Sequence, residues 1–282
     1  MHSLHEKASK KAHRHGAAVV ASRFFSLNRQ LAQRCTPDHL HEANVFGMYR
    51  KLGAMLMSHP RVSRVVDVGA GKSWQFPPYY KEWFRVRLVG LDIDAAEMRG
   101  NAALDETIEC DVVDDVPLQP GSVDLFMIHS GIEHFRDNER VLRNLFRTLR
   151  PGGFVLAQFP SRYAHFAIVN RLLPAAATRW LLDHLMAGRA QMLGYAAYYD
   201  QTYHSAFAAL SARVGFKELY FLPGYFGSSY FDFFLPLFFC SLLYDALCFA
   251  SGIRNLASYN LWVLQKPEVS AVDQPFVFYA WR

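Results

Sequence analysis

The chain has 282 residues and a mass of 32.2 kDa, enough for one large α/β domain with additions or for two small domains. Hydrophobic residues make up 51% and charged residues 20%, which excludes general disorder and permits a full core. The net charge is +5, yet residues 1–64 hold eleven Lys and Arg against Glu6, Asp38 and Glu42, a local +8 that leaves the rest of the chain at −3. Cys35, Cys110, Cys240 and Cys248 form no C-x-x-C pair and have no His at zinc spacing. Scattered cysteines of this kind suit free thiols in a reducing compartment. The N-terminus shows no continuous apolar h-region with a cleavage site, so a cytoplasmic location is expected.

In chain order, residues 1–16 carry no apolar periodicity and read as a tail. Val20, Phe24, Leu27 and Leu31 then recur at helical spacing, which predicts an amphipathic helix over 17–34. Together these make a basic arm over residues 1–40. A second helix is expected over 41–58. Strand-like runs follow at "RVVDV", "VRLVGLD", "ETIEC", "SVDLFMIH" and "GFVLAQF", with helical stretches between most of them. The clearest helix is "NERVLRNLFRTL", whose Val141, Leu142, Leu145, Phe146 and Leu149 share one face. This alternation implies a parallel sheet covered on both sides.

The run "VVDVGAGKS", Val65 to Ser73, ends like a phosphate-binding loop. That loop needs a glycine five residues before its last glycine, where this chain has Val66. The dinucleotide fingerprint needs a third glycine three residues after the second, where this chain has Trp74. What remains is a strand closed by Asp67 and a sharp turn through Gly69 and Gly71, where glycine allows close backbone approach to a ligand. A carboxylate at that approach suits an ammonium or a hydroxyl and repels phosphate. Taken alone, Asp67 fits a helix cap and Asp111 fits a turn. Their order decides the matter. "LVGLDID" closes a second strand with Asp92, 25 residues after Asp67, where a carboxylate can accept from both hydroxyls of a ribose. "ECDVVDD", "MIHSGIEHF" and "LRPGGFVLAQFP" follow.

With these motifs in this order, the chain resembles the class I S-adenosylmethionine-dependent methyltransferases, in particular their broad small-molecule group. The resemblance covers Val65 to Phe159 well and extends loosely to "RVGF" and "NLWVLQKP". It implies a Rossmann-like, doubly wound seven-stranded sheet with an antiparallel last strand, over a domain of residues 41–267 and a C-terminal tail of 268–282. It also implies S-adenosyl-L-methionine as cofactor. Asp67, Gly69 and Gly71 would line its methionine end, Asp92 would bind the ribose hydroxyls and Ile93 would flank the adenine. Asp111 would accept from the adenine amino group, with Val112 offering its backbone N–H. His129 and Ser130 would border the methyl group. Leu149 to Gly153 would form the turn into the fifth strand. Lys72 and Ser73 are taken as incidental, and Asp114, Asp115 and Asp124 as structural.

Methyl transfer from a sulfonium mainly requires alignment of the acceptor and exclusion of water, with a base only for a hydroxyl or a protonated amine. His134, with Glu133 beside it, is the candidate catalytic base; the alternative is that it fixes its loop. The similar ubiquinone-pathway O-methyltransferases bind metal through an acidic residue three positions before that Glu. This chain has Ser130 there, so no metal site is expected. Helical insertions on the acceptor side are expected over 160–214, with Tyr163, His165, Tyr199, Tyr203 and His204 as pocket candidates.

The apolar run "YFDFFLPLFFCSLLYDALCFA", Tyr230 to Ala250, forms a second insertion, placed within 228–254 between the sixth and seventh strands. Its longest uncharged stretch, Phe233 to Tyr244, is 12 residues, short of the ~20 needed to span a bilayer. A lid, an oligomer contact and a helix lying in the membrane interface remain open. The basic arm favours the last, since anionic lipid attracts it. No "NPPY"-type motif or interleaved aromatic platform points to nucleic acid. The expected enzyme methylates oxygen of a small or lipid- or glycan-linked acceptor, peripherally at the inner face of a membrane. The alternative is a catalytically silent cofactor-binding adaptor for a membrane or a partner.

Overall fold

The structure is a computed structural model and describes residues 23–41, 43–173 and 196–268. Seven strands form one sheet in the order β3-β2-β1-β4-β5-β7-β6. They are β1 Arg64–Val68, β2 Arg87–Asp92, β3 Glu106–Glu109, β4 Val123–His129, β5 Leu149–Pro160, β6 Lys217–Gly224 and β7 Tyr259–Gln265. Neighbours from β3 through β5 pair in parallel, and β7 runs antiparallel to both β5 and β6. The doubly wound sheet with a reversed last strand is the architecture expected from the motif order.

Alternate residues of each strand face opposite sides of the sheet, and the apolar positions use both. Val66, Leu91, Phe126, Ile128 and Val155 fall in one core cluster, with Val141, Leu142 and Leu145 of the helix Asn138–Thr148. Val65, Leu88, Leu125, Met127 and Leu156 fall in the other, with Tyr49, Leu52 and Leu56 of the helix Ala43–Met57. Strands buried on both faces read as continuous apolar runs, which is why "RVVDV" and "VDLFMIH" stand out.

Helices are labelled α1 (residues 23–35), α2 (Ala43–Met57), α3 (Tyr79–Phe84), α4 (Ala95–Met98), α5 (Asn138–Thr148), α6 (His165–Leu172), α7 (His204–Val214) and α8 (Leu235–Ser251). The expected tail of 1–16, the first turn of the expected helix at 17–22, and nearly all of the C-terminal tail lie outside the described residues. So does the middle of the expected acceptor cap, 174–195.

Two expectations change. The "LRPGG" turn is absorbed into β5, because Leu149 pairs with Val123 and a register shift between Val123 and Leu125 takes up the extra residues. Residues 204–214, expected in the acceptor cap, instead form α7 against the sheet, with Phe207 and Leu210 fully buried in the same cluster as α5. His204 accordingly lies over Phe221 and Trp262.

Candidate active site

The strand order reverses between β2-β1 and β1-β4. In such sheets a crevice opens beyond the carboxyl ends of the strands at that point. There the chain has a cleft of about 310 Å³ whose walls include Gly69, Gly71, Asp92, Ile93, Asp111 and Val112. His134 and Ser130 line it as well. Six of the eight residues expected around the cofactor, and the candidate base, therefore meet in one cleft.

The glycine turn is held from below. Gly69 and Gly71 adopt left-handed φ angles of 71° and 45°. The Gly69 and Ala70 N–H groups donate to the Leu91 carbonyl at 2.8 and 3.1 Å, and the Gly71 N–H donates to Asp92 Oδ2 at 2.9 Å. Buried Asn101 donates through Nδ2 to the Ala70 carbonyl at 3.1 Å. A Cβ at Gly69 would meet nothing within 4 Å, so that position requires glycine for its backbone angle and leaves open space in front of it.

Asp92 accepts the Asp94 N–H through Oδ1 at 3.0 Å in addition to the Gly71 bond. Each oxygen thus uses one bond on the backbone, and a carboxylate oxygen can accept two. Asp111 accepts the Val113 N–H at 2.9 Å through Oδ1 and Arg136 Nη1 at 2.5 Å through Oδ2. Arg136 also reaches Asp114 at 2.6 Å. This guanidinium spans from the β4 side of the cleft to the loop after β3, and its place could be suspected only from the cluster of aspartates at 111, 114 and 115 facing Arg136 and Arg147.

Asp67 and His129 take other places. Asp67 is buried beneath the glycine turn, where burial, with Asp92 adding to it, pushes its carboxyl up to about 7. His129 packs against Phe46 and Tyr49 with ring centroids 5.5 and 5.0 Å away. Burial, reinforced by Arg50, lowers its imidazole to about 4. Lys72 pairs with Glu97 at 3.3 Å on the surface. Asp124 accepts the Ser63 and Arg64 N–H groups, each at 2.8 Å, and so fixes the entry to β1.

The cleft has a roof, drawn from residues 196–202 of the expected acceptor cap. Ala196 and Tyr198 line the cleft, and the Tyr198 and Tyr199 N–H groups donate to the Glu133 carbonyl at 2.8 and 3.1 Å. Fully buried Asn138 ties the same segment down, donating to the Asp200 carbonyl at 2.6 Å and the Ile132 carbonyl at 3.1 Å. Ser130, Tyr199 and Gln201 hold left-handed φ angles of 53°, 52° and 51°. Such strain persists where surrounding bonds over-determine the backbone.

His134 Nδ1 lies 3.0 Å from the Ala196 carbonyl, which can only accept, so Nδ1 carries the hydrogen and Nε2 the lone pair. Burial holds the imidazole below its ordinary value, the Ala196 bond opposing, so the ring is neutral at pH 7. Glu133 is buried beside it, with Oε1 3.8 Å from His134 Nε2. Among the described residues its Oε2 has no hydrogen-bond partner, and burial pushes the carboxyl up to about 8. Among the described residues no His, Cys, Asp and Glu cluster could hold a metal.

A doubly wound sheet with a glycine turn at its switch point, and acidic residues closing β2 and following β3, is a Rossmann-like fold of the class I methyltransferase type. A family model described as "Methyltransferase domain" matches residues 66–157, from β1 through β5. The chain is 29% identical over 131 residues to a trans-aconitate 2-methyltransferase of Deinococcus radiodurans, covering 46% of this chain and 50% of that protein. It is 28% identical over 161 residues to a trans-aconitate 2-methyltransferase of Azoarcus, covering 50% and 63%. The alignments thus span half to under two thirds of those relatives' length. The fold resembles that of phosphoethanolamine N-methyltransferase 2 of Haemonchus contortus in complex with S-adenosyl-L-methionine, with a TM-score of 0.50 and 14% identity, over 78% of this chain and 52% of that one. Residues 66–157 thus match a methyltransferase domain, and in fold the chain is similar to the class I S-adenosylmethionine-dependent methyltransferases.

Proposed function

We propose that the protein transfers a methyl group from S-adenosylmethionine to an oxygen of a small or lipid- or glycan-linked acceptor. The observation that carries this reading is the single cleft in which Gly69, Gly71, Asp92, Ile93, Asp111 and Val112 meet His134. Its chemistry fits the cofactor. The remaining acceptor capacity of Asp92 suits a ribose diol, and the open space before Gly69 admits the methionine end. Ile93 and Val112 give the adenine an apolar wall, and Asp111 shares its carboxylate between Arg136 and the amino group. Asp67 lies buried next to the turn, outside the lining of the cleft. S-adenosylmethionine supplies an activated methyl on a sulfonium, so the chain's own task is to align and to dehydrate.

His134 is the proton acceptor of this reading. Its hydrogen is fixed on Nδ1 by Ala196, so Nε2 takes the proton of an acceptor hydroxyl. The roof segment over 196–202, stitched to Glu133 and Asn138, keeps water from the same space. The trans-aconitate relatives carry a small-molecule acceptor in their names, which supports that side of the reading. A catalytically silent adaptor has less support, since a silent chain has no need of a base held in one tautomer. In this proposal the protein works in the cytoplasm, peripherally at the inner face of a membrane, without nucleic acid, and oligomers are compatible with it.

The test uses isotope-labelled S-adenosylmethionine with cell extracts fractionated into aqueous and lipid pools, followed by identification of the labelled product. Transfer of label, together with binding of S-adenosylhomocysteine by calorimetry, is the expected result. Asp92→Ala should weaken that binding by about 1.5–3 kcal/mol, the range for hydrogen bonds to a charged group. Tight cofactor binding with no label transferred to any pool would favour the adaptor.

A further inference from the structure

We infer that the outer face of α8, flanked by α1, docks on an anionic lipid surface. This deepens the peripheral location proposed above and rests on that reading.

A surface helix ordinarily turns its apolar stripe inward and its polar residues to water. In α8 the arrangement is reversed. Asp245 is the only charged residue of Leu235–Ser251, and it is fully buried. Its Oδ2 accepts from the Gly227 N–H at 2.8 Å, the Ser228 N–H at 3.0 Å and the Ser228 hydroxyl at 2.6 Å. Ser241, one turn earlier, lies 2.8 Å from Ser228 Oγ and 2.7 Å from His165 Nε2. Asp245 and Ser241 are therefore used up in holding the helix to the domain. The outer face is left with Leu237, Phe239, Leu243 and Leu247, the last two each 62% exposed.

Helix α1 extends this face. Asn28 Oδ1 accepts the Leu235 N–H at 3.3 Å, and Arg29 pairs with Asp232 at 3.5 Å. Ala32 shares a buried cluster with Phe238 and Cys248. Phe24 and Leu27 of α1 are 50% and 56% exposed.

Charge selects the occupant. Residues 1–41 hold seven Lys and Arg (7, 10, 11, 14, 23, 29 and 34) against Glu6 and Asp38, and that +5 equals the net charge of the whole chain. All the surplus positive charge thus lies in the segment that ends beside the apolar face. Two like-charged copies meeting there would repel, whereas an anionic leaflet accepts both features, burying Leu and Phe and attracting Lys and Arg. Among the described residues no helix is long and apolar enough to cross a membrane, so the helix lies along the surface. The structure also separates residues that a sequence reading treats alike. Phe233 and Phe238 are 8% and 1% exposed and belong to the core, while Phe234 and Phe239 face outward.

The experiment is flotation of the full chain with vesicles of phosphatidylcholine alone or with about 30% phosphatidylserine, at about 0.1 M and 1 M salt. Binding to the anionic vesicles at low salt is expected, weakened at high salt and near absent on neutral ones. Leu243→Ser with Leu247→Ser should lower vesicle affinity by about tenfold or more, with thermal unfolding and S-adenosylhomocysteine binding unchanged. Arg23→Glu with Arg34→Glu should lower it by about fivefold per charge removed at low salt only. Absence of flotation at low salt by a chain that still binds S-adenosylhomocysteine would overturn the docking surface and leave the cofactor reading standing. A dimer in sedimentation that the two Leu→Ser changes dissolve, with no vesicle binding, would assign the face to a second copy and overturn the proposal as well.

Discussion

The cofactor cleft and helix α8 treat polar groups in opposite ways. In the cleft, Asp92 and Asp111 spend part of their hydrogen-bonding capacity on the backbone and keep part of it facing open space. In α8, Asp245 and Ser241 spend theirs on Gly227, Ser228 and His165, and the outward face is mostly apolar. Each region is an unfinished surface, and what is unfinished describes the partner. Polar capacity left over in a confined cleft asks for a small polar molecule. Apolar area left over on an open helix asks for something broad and apolar.

The largest expected effect tests whether the cleft is poised for chemistry. His134→Ala should lower turnover by about 10²–10⁴ with S-adenosylhomocysteine affinity nearly unchanged, as measured by steady-state rates and calorimetry. Equal losses in both would make His134 a strut for the roof through Ala196, and the contrast with α8 would weaken.

A second test separates the two faces of α8. Phe238→Ala should destabilise the fold by about 3–5 kcal/mol in denaturant unfolding, because it empties a packed site. Phe239→Ala, one residue away and exposed, should change it by less than about 0.5 kcal/mol. Similar costs at both positions would mean that the outer face is covered within the chain.

The smallest effect concerns Glu133. Its carboxyl is raised from 4.5 to about 8 by burial, so the folded state holds a proton that the unfolded chain releases. Stability from this group is present below about 4.5 and declines as pH rises toward about 8. Glu133→Gln cannot ionise. The difference in stability between variant and parent should therefore grow in the variant's favour from pH 5 to pH 8, by on the order of 3 kcal/mol, in unfolding curves taken across that range. A difference independent of pH would remove the buried proton from the description.

Most of the sheet was legible because its strands are buried on both faces. "RVVDV" coincides with β1, and "SVDLFMIH" starts one residue before β4. The cleft residues were legible because acidic side chains at strand ends and glycines in tight turns are local signals. Asp67 and His129 show the limit of that logic: a strand-end position decides which edge a residue reaches, whereas packing by Tyr49 and Phe46 decides which way it turns. The place of Arg136 and the bonds that hold the roof over 196–202 were not legible, although that segment lies in the expected acceptor cap, because both depend on side chain and backbone meeting across long stretches of sequence. The orientation of α8 was equally hidden. Its mean apolarity was plain, but that Asp245 points inward follows only from where Gly227 and Ser228 offer their N–H groups.

Arg136 joins two walls of the cleft through side chains alone, while the roof over 196–202 is held by backbone hydrogen bonds and buried Asn138. These closures operate on different clocks. An exposed side chain changes rotamer in picoseconds to nanoseconds, whereas a segment sewn down by its backbone opens in microseconds or longer. The wall closed by Arg136 can therefore open while the roof stays seated, and under the proposed function that wall is the side by which cofactor would leave and enter.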